Sequence, residues 1–137
     1  MVKKALLFWA AWLCASPALA DAPQGLGPSC PDLSIAGIES RDDVLRFIAR
    51  LKTAAEARDA RALIGLTHFP VRVSGRPMGR SQAMRSAKHV FTDKVYRAIL
   101  GQDPAQLFCN YQGVMIGNGQ IWFSAFNGRP AIIAINR

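Results

Sequence analysis

The sequence predicts an α+β domain in which N-terminal helices pack on a curved antiparallel sheet. Three observations favour this class. Apolar residues recur at helical spacing from Val44 to Ala55. A single early segment, 69–74, alternates apolar with polar residues, as a half-buried strand does. The final segment, 111–136, holds three apolar runs separated by Gly- and Asn-containing turns, which predicts an antiparallel meander.

Residues 1–20 have the three parts of a secretory signal. Lys3 and Lys4 precede an apolar run, and small residues ending at Ala20 follow it. The run is well short of the ~20 residues that a membrane-spanning helix requires. We therefore expect cleavage after Ala20 and a periplasmic or secreted mature protein with no transmembrane segment.

The mature chain is basic and suits one domain. Removing Lys3 and Lys4 from the 17 Lys and Arg leaves 15 against 9 Asp and Glu, a net charge of +6. Two cysteines survive cleavage, Cys30 and Cys109, and an even pair in an oxidising compartment predicts a disulfide. A reactive thiol has no support, because neither cysteine has Cys-x-x-Cys spacing or a nearby His.

Lipidation at Cys14 is the less favoured alternative to signal cleavage.

The predicted elements follow in order. Residues 21–39 are rich in Pro, Gly and Ser and read as an extended leader. Ser40 is a good N-cap for a helix of about four turns. The acidic residues that follow it in the first turn also favour the positive end of the helix. Polar residues mark three further helix starts: Asp59, Ser81 and Thr92.

The strands of the prediction are one early and three late. Because proline has no N–H to donate, Pro70 indicates either that 69–74 is an edge strand or that Pro70 is one of the first residues of the strand. A turn region follows at 75–79, and Asp103-Pro104 opens a short turn before the meander. Asn127-Gly128 favours a tight hairpin because both central residues must accept positive φ.

Five segments together resemble one known superfamily: EARDARAL (56–63), HFPV (68–71), VFTD (90–93), GVMIGNGQIWF (113–123) and IIAIN (132–136). The pattern is similar to the nuclear transport factor two-like superfamily, which includes ketosteroid isomerase and many exported bacterial proteins. The resemblance covers roughly residues 40–137 and implies a cone-shaped α+β fold. Enzymes of this superfamily place acid, base or oxyanion partners inside the cone, but the superfamily also hosts receptors and scaffolds, so it implies fold more than activity.

Few residues offer chemistry. Between 111 and 137 there is no Asp, Glu or His, so a general base must come from elsewhere or be absent. The candidate ligand-binding residues are His68, Asp93, Tyr96 and Trp122. His68 stands where the second helix meets the first strand, and Asp93 follows a helix cap, where it favours the helix dipole. Trp122 reads as core or a cross-strand partner; if the face opposite the core is exposed, Trp122 and Phe126 form an apolar patch that would suggest a partner.

Metal, nucleotide and nucleophile chemistry lack a sequence basis. Two His residues and two bridged cysteines make no recognised ligand spacing, and there is no phosphate loop or nucleophile elbow. We therefore expect no cofactor and no catalytic residue.

Positive charge is concentrated in one stretch of the sequence, from 71 to 97. Its basic residues are Arg72, Arg76, Arg80, Arg85, Lys88, Lys94 and Arg97, against a single acid. They form either a solvated face or a surface that attracts an anionic envelope component or an acidic protein. Nucleic acid is not an expected ligand, since no nucleic-acid motif accompanies the charges. The sequence is compatible with a homodimer.

These observations favour an exported, non-catalytic binding domain. One rival is an isomerase- or dehydratase-like enzyme that uses His68 or Asp93 with Tyr96 in the cone. Another is a periplasmic inhibitor or immunity-type protein that blocks an acidic partner. An enzyme requires a deep pocket with at least two convergent ionisable groups, whereas a binding module requires a filled cone and an exposed basic or aromatic surface.

Overall fold

The computed structural model describes residues 30–137. The expected signal peptide and cleavage site, and residues 21–29 of the leader, lie outside the described residues. The helical elements are a 3-10 helix at Leu33–Ala36, α1 at Arg41–Glu56, α2 at Ala60–Gly65, α3 at Arg80–Arg85, α4 at Ala87–Val90 and α5 at Asp93–Gly101. The strands are β1 at Thr67–Val73, β2 at Arg76–Met78, β3 at Phe108–Asn110, β4 at Gly113–Ile116, β5 at Ile121–Phe126 and β6 at Arg129–Ile135. The predicted α+β class is confirmed.

Helix α1 begins where the sequence predicts. The Ser40 hydroxyl accepts the Asp43 backbone N–H at 3.3 Å, and Asp42 and Asp43 lie in the first turn. Both features stabilise the positive end of the helix. Val44 and Leu51 on the predicted apolar face are fully buried, so α1 packs on the core as its periodicity indicates.

Of the three other predicted helix starts, the structure confirms some and corrects others. The Asp59 carboxylate accepts the Ala62 N–H and caps α2, as predicted. Ser81 is not a cap, because α3 already begins at Arg80 and its N-cap is Gly79. Thr92 does occupy the N-cap position of α5, but its hydroxyl makes no capping hydrogen bond and is buried without a partner. The leader is not wholly extended either, since Asp32 caps the 3-10 helix through the Ser34 N–H.

One mixed sheet contains all six strands, in the order β2-β1-β6-β5-β4-β3. The predicted sheet was antiparallel throughout, and this is wrong at one pair: β1 runs parallel to β6. The late meander returns β6 to the centre of the sheet beside the early strand, where it runs in the same direction as β1. Strand β1 is therefore not an edge strand, although it contains Pro70. Its pairing with β6 is interrupted between Thr67 and Arg72, and this irregularity accommodates a residue that has no N–H to donate.

The C-terminal meander matches the prediction closely. Strands β4, β5 and β6 pair antiparallel in succession. Asn127 and Gly128 both adopt positive φ, 50° and 74°, as the hairpin chemistry requires. The predicted 75–79 turn region is partly wrong, because the three residues of β2 within it form a hairpin with β1.

The core lies between the helices and one face of the sheet. Phe47 of α1 meets Phe123 of β5 with ring centroids 4.9 Å apart, and Phe123 is fully buried. The predicted disulfide joins Cys30 to Cys109 across 79 positions, with Cα atoms 4.9 Å apart. It fastens the segment before the 3-10 helix to strand β3. No helix within residues 30–137 combines the length and apolar character needed to cross a bilayer.

Candidate functional site

A row of side chains crosses the sheet on the side away from the helices. The strand register places these residues beside one another in the order Arg72, Ala134, Trp122, Met115 and Phe108. The neighbouring row, which includes Phe123 and Ile132, is buried in the core. Because side chains alternate between the two faces of a strand, the first row points away from the core. We call the surface formed by this row, together with His68, Phe126 and Ile133, the open face.

Aromatic rings on the open face contact one another. Phe108 meets Trp122 edge to face, with centroids 6.2 Å apart. His68 lies flat on Phe126, with centroids 3.7 Å apart and ring planes within 6° of parallel. Such pairs restrict side-chain rotation, so the rings of the open face are held in position by one another.

The centre of the open face is a shallow groove of about 690 Å³. Its lining residues are His68, Pro70, Arg72, Gln112, Trp122, Phe126, Ile133, Ala134 and Asn136. Trp122, Phe126 and Ile133 are half-buried, whereas His68 and Arg72 are exposed. The groove is therefore mainly apolar, with one guanidinium and two amides at its margin, and a contiguous surface of this kind is typical of an interaction site.

The structure brings together two of the four predicted ligand-binding residues. His68 and Trp122 line the same groove. Trp122 is not core, and its alternative assignment as a cross-strand partner is the one observed, opposite Met115 and Ala134. His68 projects from the exposed side of β1 and not into the space between sheet and helices, because its neighbour Thr67 takes the buried position.

Asp93 and Tyr96 belong to a different place, on α5. The Arg58 guanidinium forms an ion pair with Asp93 and lies over the Tyr96 ring, 4.6 Å from its centroid. The hydrogen bond and charge of Arg58 hold the pKa of Asp93 below its usual value. Burial raises the pKa of the Tyr96 phenol. Asp93 thus stays ionised and paired at neutral pH, and neither residue lines the groove of the open face.

The interior offers little to a general acid or base. Among residues 30–137, the buried side chains that carry a hydroxyl are Thr67 and Tyr96, and the Thr67 hydroxyl donates to the Leu63 carbonyl at 2.8 Å. No Asp, Glu, His, Lys or Arg of this range is buried. The same range contains no group of three or more His, Cys, Asp or Glu side chains arranged to hold a metal ion.

The basic residues between 71 and 97 are spread over five elements. Arg72 stands on the open face, and Arg76 is exposed on β2. Arg80 lies over the Phe69 ring, 4.9 Å from its centroid. Arg85 and Lys88 are exposed on α3 and α4, while Lys94 and Arg97 line a separate hollow beside Asp103. Lys94 and Arg97 thus share a hollow that none of the other five basic residues lines.

Two open-face residues, Phe108 and Met115, were absent from the predicted site. Phe108 belongs to a strand of three residues, too short for alternation to be recognised. Met115 could have been found, because it lies within the predicted 111–116 strand and faces Trp122 across the Gly117-Asn118-Gly119 turn. Comparison of the chain with protein-family models, curated proteins and solved structures finds no match.

Proposed function

We propose that this protein is an exported, non-catalytic domain that binds an acidic protein partner through its open face. The observation that carries the proposal is the row in which Trp122, Met115 and Phe108 lie side by side, with Arg72 on the far side of Ala134. Aromatic residues, Met and Arg are the types enriched in protein interfaces, and Trp and Arg are frequent among the residues that supply most of the binding energy.

Charge supports an acidic partner. Residues 30–137 contain 15 Lys and Arg against 8 Asp and Glu, a net charge of +7, because the ninth acid, Asp21, precedes this range. A surplus of this size accelerates encounter with a negatively charged protein and disfavours a basic one. Within the described range no Asp, Glu, His, Lys or Arg is buried, and the buried Tyr96 phenol lies under Arg58 with its pKa raised, which supports a binding role over an isomerase or dehydratase role. An inhibitor or immunity-type protein would use the same surface.

Export rests on the signal features of residues 1–20 and on the disulfide, which is typical of proteins outside the cytoplasm. N-terminal sequencing of protein from the cell-envelope fraction should read Asp21-Ala22-Pro23. Recovery of an intact Met1 start from that fraction would contradict cleavage.

Membership of the nuclear transport factor two-like superfamily is part of the proposal. It is supported by helices that precede the meander and cover one face of a single sheet, with the early strand β1 beside the last strand β6. An experimental structure would test it through the shape of the sheet. A flat sheet, with no concave face toward α1, would contradict the conical fold.

Site-specific crosslinking in living cells tests where the partner binds. Gln112, exposed at the groove, is replaced with a photo-crosslinking amino acid, and a matched protein carries it at Arg61, exposed on α2. Irradiation should give a discrete adduct from position 112 and not from position 61, and mass spectrometry then identifies the partner. Equal adducts from both positions, or none from position 112, would contradict docking on the open face.

The isolated partner allows the energetics to be measured. Trp122→Ala should weaken binding roughly thirtyfold, or about 2 kcal/mol, if this ring is a dominant contact. Arg72→Glu and Arg61→Glu change the net charge equally, so only the first should weaken binding strongly. His68→Ala and Asp93→Asn serve the rival proposal: loss of a catalytic activity in either would favour an enzyme.

The same proteins distinguish a protein partner from an anionic envelope component. Adsorption to anionic vesicles or cell-wall material that falls with salt, and falls equally in Arg72→Glu and Arg61→Glu, would indicate general electrostatic binding. The triple variant Arg76→Glu, Arg80→Glu and Arg85→Glu should then lose adsorption as well. In that case the envelope component, not a protein, would be the ligand.

A further inference from the structure

A second concave site lies on the helix side of the sheet, between α1 and the turn that joins β5 to β6. Its volume is about 550 Å³, within the usual range for a small-molecule site. The lining residues are Asp43, Arg46, Phe47, Arg50, Gly65, Leu66, Thr67, Gly128, Arg129, Pro130 and Ala131. We call it the arginine cleft, because three guanidinium side chains from two elements line it.

Charge in the arginine cleft is not balanced. Arg46 donates to Asp43 at 2.6 Å, which leaves one ion pair inside the cleft. Arg50 and Arg129 have no carboxylate within 4.0 Å among the described residues. The cleft therefore carries about two uncompensated positive charges, and a concave wall concentrates their field.

The arrangement of the arginines suits an oxyanion. Arg46 and Arg50 are four residues apart on α1, so they project from the same side of that helix. Arg129 belongs to the opposite wall, at the start of β6. Guanidinium groups from two walls can each donate paired N–H bonds to one phosphate or carboxylate group placed between them.

Hollows on either side of the cleft differ in polarity. Toward α2, a space of about 520 Å³ shares Arg50, Gly65 and Leu66 with the cleft and continues along Ala49, Ala54, Ala57 and Ala62. Its carboxylate, Asp59, already accepts the Ala62 N–H. On the other side, Glu39 joins Asp43 in lining a third hollow. Because alanines predominate in the hollow toward α2 and two carboxylates line the other, the apolar part of a ligand would extend toward the alanines.

We propose that the arginine cleft binds the phosphate group of a small organic molecule whose apolar part extends along the hollow between α1 and α2. A phosphate monoester carries about −1.5 to −2 at pH 7, which matches the two uncompensated charges. The proposal is independent of the open face, since the two sites share no lining residue.

Backbone NMR of the folded, disulfide-bonded protein provides the test. Titration with inorganic phosphate should shift the amide signals of Gly65 and Gly128 saturably, and octyl phosphate should bind more tightly and also shift Ala57. The variant Arg50→Gln with Arg129→Gln should bind about tenfold or more weakly. The variant Arg85→Gln with Lys88→Gln removes the same charge outside the cleft and should bind like the wild type.

Three results would overturn the proposal: non-saturable shifts, equal weakening in both double variants, or shifts that avoid Gly65 and Gly128. Glycerol 3-phosphate and vesicles containing phosphatidic acid separate the two sources of a phosphate. Binding of glycerol 3-phosphate that depends on Arg50 and Arg129 indicates a soluble ester. Binding only to the vesicles, with the same dependence, indicates a lipid headgroup. A failed crosslink at Gln112 leaves this test unaffected.

Discussion

Removing the Cys30–Cys109 disulfide should destabilise the protein more than any single side-chain truncation on its surface. The bond closes a loop across 79 positions. The loss of loop-closure entropy from the unfolded chain corresponds to about 4.5 kcal/mol at 25 °C for a loop of this length. At roughly 2 cal/mol/K per residue for the described range, the melting temperature should fall by roughly 20 °C.

The perturbation is the double variant Cys30→Ala with Cys109→Ala. Alanine is preferable to serine because both sulfur positions are buried, and a hydroxyl placed there would need a hydrogen-bond partner. Urea unfolding is followed by far-UV circular dichroism and by Trp122 fluorescence. Coincident curves from the two probes validate two-state analysis, after which the difference in unfolding free energy can be read directly.

A second measurement separates the bond from the packing of the two sulfurs. The wild-type protein treated with reductant should unfold at the same urea concentration as the double variant. If the reduced protein and the variant both lose less than about 1 kcal/mol, the entropy argument fails. Labelling of both thiols in the folded, unreduced protein would show that the bond does not exist.

Three further predictions concern other elements. Ser40→Ala should cost about 1 kcal/mol in urea unfolding. Thr92→Val should instead raise stability by about 1 kcal/mol, because the Thr92 hydroxyl is buried without a hydrogen-bond partner; equal costs for the two variants would refute this difference. Phe123→Ala should cost about 3–5 kcal/mol, and a loss below about 1 kcal/mol would place that ring outside the core. The pKa of Asp93 is lowered by Arg58, so the ion pair stabilises the protein above pH 3.8 and ceases to do so as the pH falls through the lowered pKa. Asp93→Asn and wild type should therefore converge in unfolding free energy in acid, and a constant difference from pH 7 to pH 2 would contradict the ion pair.

Local chemistry explains which elements could be predicted. Ser40 and Asp59 were found because a cap and the helix it begins are only three residues apart. The Asn127-Gly128 hairpin was found because positive φ at two successive positions restricts the choice of residues. Thr92 stands at the predicted N-cap position of α5, but its hydroxyl is buried and makes no capping hydrogen bond, contrary to the reason for the prediction.

Long-range arrangement explains what could not be predicted. The parallel pairing of β1 with β6 joins segments about sixty residues apart, and no local pattern reports it. The two sites show the same limit. The sequence identified Trp122 and proposed an apolar patch with Phe126, and both residues line the groove of the open face. The anion-binding surface expected from the basic residues of 71–97 stays a prediction. The arginine cleft was missed because Arg129 is remote in sequence from Arg46 and Arg50.

The two edges of the sheet limit how copies of this protein can associate. Edge strands β2 and β3 have three residues each, and β2 contains Pro77, which has no N–H to offer a neighbouring strand, beside the charged Arg76. Strand β3 is covalently fastened through Cys109. Short, charged or proline-containing edges prevent one sheet from continuing into another. Both edges of the sheet formed by residues 30–137 thus disfavour growth of fibrils by strand addition, so the apolar open face can be exposed without inviting polymerisation through the backbone.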